Sequence, residues 1–390
     1  MFGYFRRVKN SFAAMIFGLL MVPGGMALHA WNEYRTVHRS RGLAEASRLV
    51  ETIPDTNVVD PSRDGKLVHL SGLADTNETL EDEQFHVSAP AIHLARRVEM
   101  FQWKEKKEKR SNSNSNSGQS TKYTYHRQWA SEPIDSSRFH RPTDHENPNM
   151  RYRNRESTAK HVFVGAHNLN DALKSSMQDW QPFEFTGREF LATIPETDRD
   201  QYLMRNNQLF WSVHVPDFDQ PRVGDIRIRF ETVSPDTISL IAEQRGDTFA
   251  NFRTSNGEAI QRLYMGTFTA EEVIEKLITE NSVIAWVLRA VGLLLSVIGF
   301  SMILKPLSAV TSFVPLLGQF TGALLFFVAV LLGVIVSSTV IGLSWIAVRP
   351  LLGIALLGLS ALAAYAVFYL RRNVHHDDVP EQVDASMFVQ

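Results

Sequence analysis

Four stretches of the chain are apolar over lengths that strands do not reach. Phe12 to Leu28 carries no charge for seventeen residues. That is near the lower limit for crossing hydrocarbon, because a helix rises about 1.5 Å per residue through a core of about 30 Å. Val283 to Leu304 holds a single charge, Arg289; Thr321 to Val348 is longer; Leu351 to Leu370 follows Arg349-Pro350 and is closed by Arg371-Arg372. Three such runs nearly in tandem read as membrane spans, since soluble cores do not need them. A cleaved signal peptide rivals a span for the first run, with Pro23-Gly24-Gly25 as the helix break. Leu28-His29-Ala30, however, is a poor small-x-small cleavage site. Leu307 to Leu317 is apolar but too short to span, and Pro315 suggests an interfacial or re-entrant segment.

Between the first two runs the pattern changes to short β-type segments bounded by turn residues. Lys66 to Leu70, Ile92 to Trp103, Lys122 to Trp129, Gly224 to Phe230 and Thr237 to Ala242 are rich in β-branched or aromatic residues. Ile226, Ile228 and Phe230 alternate with Arg227 and Arg229, as in a half-buried strand. Helices are expected near Ser40 to Glu51 and from Ala270 to Glu280. The latter opens on a Thr269-x-x-Glu272 capping box, puts Val273, Ile274, Leu277 and Ile278 on one face, and leads into the second span.

The predicted fold is therefore an α+β membrane protein. Four transmembrane helices carry a large β-rich extracytoplasmic or luminal domain inserted between the first and second. The expected divisions are a tail at 1–11, spans at 12–28, 283–304, 321–348 and 351–370, the domain at 29–282 with a flexible loop at about 104–120, a short segment at 305–320 and a tail at 371–390. Arg6, Arg7 and Lys9, then Lys305, then Arg371 and Arg372 fall on one side of a four-span chain. The positive-inside tendency makes that side cytoplasmic, with both termini, and Arg349 is the exception.

Charge and candidate chemistry narrow the function. Forty Lys and Arg against 42 Asp and Glu leave no basic excess for a polyanion. The basic run Arg96 to Arg110 begins as a strand and ends in KEKKEKR, which leads through the polar tract SNSNSNSGQS, a flexible loop, to a returning strand at KYTYHRQW, together a hairpin with a disordered tip. Contact with anionic lipid or a protein partner is the remaining reading, and no nucleic-acid role is expected across a membrane. Absence of cysteine excludes disulfides and thiolate chemistry. His375-His376-Asp377-Asp378, and His86 and His93 near Asp82 and Glu83, are ligand types without ligand spacing. No HExxH, phosphate loop, GxSxG elbow or dinucleotide fingerprint is present, so neither cofactor, metal nor catalytic residue is expected.

Arg289 is the outstanding residue, because a charge inside a span costs about 2.5–3.5 kcal/mol on insertion scales and needs a partner or a route to the interface. Two readings stay open. It snorkels to headgroups, or it joins an interhelical or intersubunit contact on a face shared with Ala285, Gly292, Ser296 and Gly299. Ala329, Gly333 and Ser337 offer a matching small face in the third span.

Several spellings together resemble the LUMA family, the transmembrane protein 43 family. They include Asn32-Glu33-x-Arg35; Leu67-Val68-His69; Arg97-Val98-Glu99-Met100-Phe101-Gln102-Trp103; Tyr123-x-Tyr125-x-x-x-Trp129; Val223-Gly224-Asp225; and Gln244-Arg245-Gly246-Asp247. Asn281-Ser282, Leu288-Arg289-Ala290, Trp345 and Arg349-Pro350-Leu351 continue the match into the membrane segments. The resemblance implies four spans, a large luminal domain, and a self-associating, homo-oligomeric membrane organiser without established catalytic residues. In a eukaryote it implies the endoplasmic reticulum and inner nuclear membrane, with lamins and emerin as partners. In a bacterium it implies the inner membrane without them. The alternative function is a receptor or sensor whose extracytoplasmic domain binds a small molecule or envelope component.

Overall fold

The computed structural model describes residues 2–110, 120–311, 315–346 and 350–376. Its contacts divide the chain into two units, residues 1–44 with 275–390, and residues 45–274.

Among the described residues four helices are long and apolar enough to cross a membrane, over Ser11–Leu49, Ala270–Leu307, Gly322–Trp345 and Pro350–Tyr369, most of their length in the first unit. They belong to helices α1 (Phe2–Leu49), α2 (Ala270–Thr311), α3 (Pro315–Trp345) and α4 (Pro350–His376). Two expectations change here. The first helix does not end with the expected span at Leu28 but runs on to Leu49, so that the helix expected near Ser40 is its last turns, and Pro23-Gly24-Gly25, the break in the rival signal-peptide reading, lies within it; proline is tolerated where neighbouring helices shelter the freed carbonyl. The short segment expected at 305–320 is helical up to Thr311, through Pro306, and Pro315 opens α3 at the first-turn position where a missing N–H costs nothing. Arg349 and Asp377–Gln390 lie outside the described residues.

Among the described residues the second unit holds two seven-stranded sheets and two of two strands. In the first, β1 (Leu67–Asp75) pairs antiparallel with β6 (Asp236–Arg245), with Leu70 opposite Leu240. In the second, the order is Tyr202–Arg205, β4 (Gln208–Trp211), β5 (Ile226–Val233), β2 (His93–Arg110), β3 (Ser120–Ala130). The alternation predicted for 226–230 is realised: Ile226, Ile228 and Phe230 are buried and face the same core as Val98 and Met100. Both sheets feed that one cluster, since Val68, Leu70, Ile238 and Leu240 belong to it. Asn206 and Asn207, at φ 50° and 63°, form the two-residue turn into β4, a conformation that asparagine tolerates better than most residues.

The stretch 104–110, expected within a flexible loop, is paired strand. Lys104 faces His126 and Lys107 faces Tyr123 across the ladder. Cross-strand pairing holds the lysines extended despite their charge; residues 111–119 lie outside the described residues. The predicted capping box is formed, with Thr269 N–H on Glu272 at 2.8 Å and Glu272 N–H on Thr269 Oγ1 at 3.2 Å. Ile278 departs from the expected apolar face and is 49% exposed.

Candidate functional site: a buried polar seam between the helices

The α1 sequence after its apolar stretch places His29, Asn32, Glu33 and Thr36 at three- and four-residue spacing, one stripe of a helix. All four are buried. Against them α2 sets Asn281, Ala285, Arg289 and Gly292. The Arg289 guanidinium donates twice to Glu33, Nε to Oε1 and an Nη to Oε2, each at 2.7 Å. Trp345 of α3 donates its indole N–H to the same carboxylate. The Glu33 side chain is wholly buried and that of Arg289 is 14% exposed. A charge so placed requires a partner and near-ideal geometry, and the planar fork supplies both. Trp286 and Trp345 lie under the guanidinium, at 4.9 and 5.7 Å from the ring centroids.

Hydrogen bonds and small residues extend the seam in both directions. Asn32 donates to the carbonyl of Ala285 at 3.1 Å, and Asn281 returns a bond to the carbonyl of Thr36 at 3.2 Å. His29 Nε2 and Ser337 of α3 are 2.9 Å apart. Glycine makes this approach possible, since a Cβ on Gly292 would stand 2.7 Å from the His29 ring. Likewise a Cβ on Gly25 would meet Ser296 at 2.7 Å, and one on Gly299 would meet Val22 at 2.8 Å. The face that α2 presents with Ala285, Arg289, Gly292, Ser296 and Gly299 is thus filled by α1 of the same chain. Between α3 and α4, Ser338 and Ser360 share a hydrogen bond of 2.6 Å where Gly342 and Gly353 bring the backbones together.

Sequence reasoning singled out Arg289, took Asn32, Glu33 and Trp345 only as part of the family resemblance, and gave His29 no role in packing. The available signal was the polar stripe continuing the first apolar run at helical spacing.

The remaining motif residues occupy two separate places in the second unit. On the outer face of the second sheet, Glu99 accepts from Arg227 at 2.7 Å and Arg229 at 3.3 Å, while Glu231 accepts from Arg229 and Arg97, both at 3.0 Å. Arg227 lies over Trp129 at 4.5 Å and Arg97 over Trp180 at 4.8 Å, closing an ion-pair ladder with aromatics at both ends. Glu231 is partly buried, which opposes its ionisation, yet the two guanidiniums hold its carboxyl below the usual range. A cleft of about 540 Å³ beside the ladder is lined by Glu99, Trp129, Ile134 and Phe139 among others.

Gln102, wholly buried, accepts from Ile134 N–H at 2.8 Å, and Asn147 clamps the Trp103 backbone through bonds of 2.7 and 3.0 Å. Gly224, at φ 99°, packs on Pro148, and the Asp225 carboxylate closes the turn on Arg222 N–H at 2.7 Å. Arg245, Gly246 and Asp247 instead form the turn after β6, where Gly246 N–H donates to Asp64 at 2.7 Å. They do not join the ladder.

No group of three metal-ligating side chains occurs among the described residues. Asp82 pairs with Arg96 at 3.1 Å, and His93 is bound to Thr158 and the Lys174 carbonyl, each at 2.9 Å. The side chains of His375 and His376, with Asp377 and Asp378, lie outside the described residues.

Comparison with known proteins gives the chain's family. A family model described as Transmembrane protein 43 matches residues 100–350. The chain belongs to the Transmembrane protein 43 family. The human Transmembrane protein 43 is 28% identical over 370 residues, covering 92% of this chain and 90% of its own. The rat protein is 30% identical over 372 residues, with the same coverage. A Drosophila melanogaster homolog is 28% identical over 377 residues, covering 93% and 95%. No solved structure matches the chain significantly. The family match includes Arg289 on α2 and the ladder residues of β5, whereas Glu33 precedes it.

Proposed function

We propose that this protein is a non-enzymatic membrane scaffold. Its helices are fixed to one another by the seam, and its extramembrane domain presents the ladder face to other membrane proteins or to further copies of itself. The ladder carries this reading. Half-exposed arginines stacked on tryptophans are the side chains that dominate protein interfaces, and here they are pre-ordered on a sheet, which lowers the entropy lost on association. The bound partner would find guanidiniums already oriented by Glu99 and Glu231.

We further infer that the domain lies on the non-cytoplasmic side, with the segments before α1's apolar stretch and after that of α4 in the cytoplasm. The distribution of Arg6, Arg7, Lys9, Lys305, Arg371 and Arg372 supports that orientation. The membrane would be the inner membrane in a bacterium and the endoplasmic reticulum and inner nuclear membrane in a eukaryote.

The test is purification in mild detergent with native mass measurement and identification of co-purifying proteins. A mass above one chain, or a stoichiometric membrane partner, is expected, and Arg227→Ala with Arg229→Ala should weaken it by roughly tenfold or more, the scale of an interface hot spot. A monodisperse single chain that retains no partner, or association indifferent to both substitutions, would overturn the scaffold reading.

A further inference from the structure

The hairpin of β2 and β3 outgrows its sheet. β5 pairs with β2 only over residues 93–100, whereas β3 continues the pairing from Met100 to Arg110. Beyond Gln102 the hairpin is therefore a two-stranded arm. The face that is core at Val98, Met100 and Gln102 continues outward as Lys104 and Lys106, both exposed, opposite His126 and Thr124, with Lys122 beyond. Residues facing each other across a ladder point to the same side, so Lys104, Lys106, Lys122 and His126 share this front with one carboxylate, Glu108, which pairs with Lys106 at 2.9 Å and leaves the front a net positive charge.

The back of the arm is closed and stacked. Tyr125 lies 3.7 Å from the His145 ring, Tyr123 lies 4.2 Å from that of His140, and Glu105 accepts from His140 N–H at 2.6 Å and from Tyr125 at 2.8 Å. This packing ties up the second carboxylate of the arm on the face opposite Lys104, Lys106 and Lys122, where Lys107 lies over the Tyr123 ring at 5.5 Å.

We propose that the front of this arm binds anionic phospholipid headgroups. The cations there are lysines, compact and strongly hydrated charges on flexible stems that suit a diffuse negative surface. A built site for one carboxylate or phosphate would use the arginine fork. The front offers no apolar anchor for a peptide. The chain spans a bilayer, so headgroups are the anions present at the highest effective concentration. The inference does not depend on the scaffold reading.

The chain contains no cysteine, so Thr124→Cys gives a single attachment point between Lys106 and Lys122 for a fluorophore. The full-length labelled protein is reconstituted into vesicles of phosphatidylcholine alone and with about one-third phosphatidylserine, each doped with a headgroup-linked quencher. Quenching should be at least roughly twofold stronger in the anionic vesicles. It should fall to the neutral level at ~0.5 M salt, where screening cuts in within about 4 Å, and in a Lys104→Ser, Lys106→Ser, Lys122→Ser variant whose elution and thermal midpoint match the parent. Free inorganic phosphate added to the anionic vesicles at constant ionic strength should leave the quenching unchanged; if it abolishes the excess over neutral vesicles, the arm is a site for soluble anions and the lipid assignment fails. Equal quenching in both vesicles, or a triple variant that quenches like the parent, also overturns it and leaves an acidic protein surface as the arm's complement.

Discussion

Arg289 and Glu33 are separated by 256 positions and meet through two hydrogen bonds, so each sets the cost of altering the other. Replacing Arg289 with Leu strands a buried carboxylate held otherwise by the Trp345 indole N–H and a long bond of 3.5 Å from Asn32, and losses of about 3–5 kcal/mol follow when one member of a buried pair is removed. A combined Glu33→Leu and Arg289→Met change removes both charges and should recover most of that loss. Thermal midpoints in detergent, taken as a double-mutant cycle, measure the coupling; losses that simply add would mean the pair is not energetically linked. His69 offers a second residue-scale test in the other unit. It is buried, with its ring nitrogens on Phe268 O at 3.0 Å and Thr52 Oγ1 at 3.4 Å. Burial pushes its imidazole below the usual value, outweighing the Phe268 carbonyl and Glu271. The folded state therefore binds the proton less readily than the unfolded chain, whose histidine titrates near 6.5. Stability is fully retained above that pH and falls as the pH drops below it, by at most about 1.4 kcal/mol per unit. Unfolding followed between pH 7.5 and 5.5 should show a shallower slope for His69→Gln than for the parent, on the order of one proton's worth. Identical slopes would remove His69 from the account.

At the scale of elements, glycine decides which helices touch. Gly292→Val should cost about 1–3 kcal/mol, the usual range for overpacking, because the new side chain begins 2.7 Å from the His29 ring. Gly24, with open space around its would-be Cβ, should accept Ala without loss. The two variants compared in one melting experiment separate close approach from mere helix composition, and equal behaviour would count against the seam. The same elements mark what could be read beforehand. The four apolar runs were legible because length alone distinguishes a span, and β5 was legible because Ile226, Ile228 and Phe230 alternate with arginines. The continuation of α1 past Leu28 was not. Its polar stripe violates the hydropathy rule that locates spans, and only packing against α2 makes buried His29, Asn32 and Glu33 tolerable. Lys104 to Arg110 looked like loop for a similar reason, since their strand character is conferred by pairing with β3.

For the whole molecule, the decisive quantity is which side of the bilayer each soluble part occupies. Four crossings return the chain to the side on which it started, and Lys305, between the second and third apolar runs, belongs to that same side, opposite the domain. Because no native cysteine competes, Ser131→Cys in the domain and Lys305→Cys on α2 can be labelled separately with a membrane-impermeant maleimide in sealed vesicles of known orientation. Both positions are exposed. Vesicles with the cytoplasmic face outward should label Lys305→Cys and leave Ser131→Cys unlabelled until detergent is added. Equal labelling of both before detergent would place them on one side, which requires an odd change in the number of crossings between them and would undo the four-span topology. Reversed labelling would keep the four crossings and invert the orientation, moving the ladder face to the cytoplasm and its partners with it.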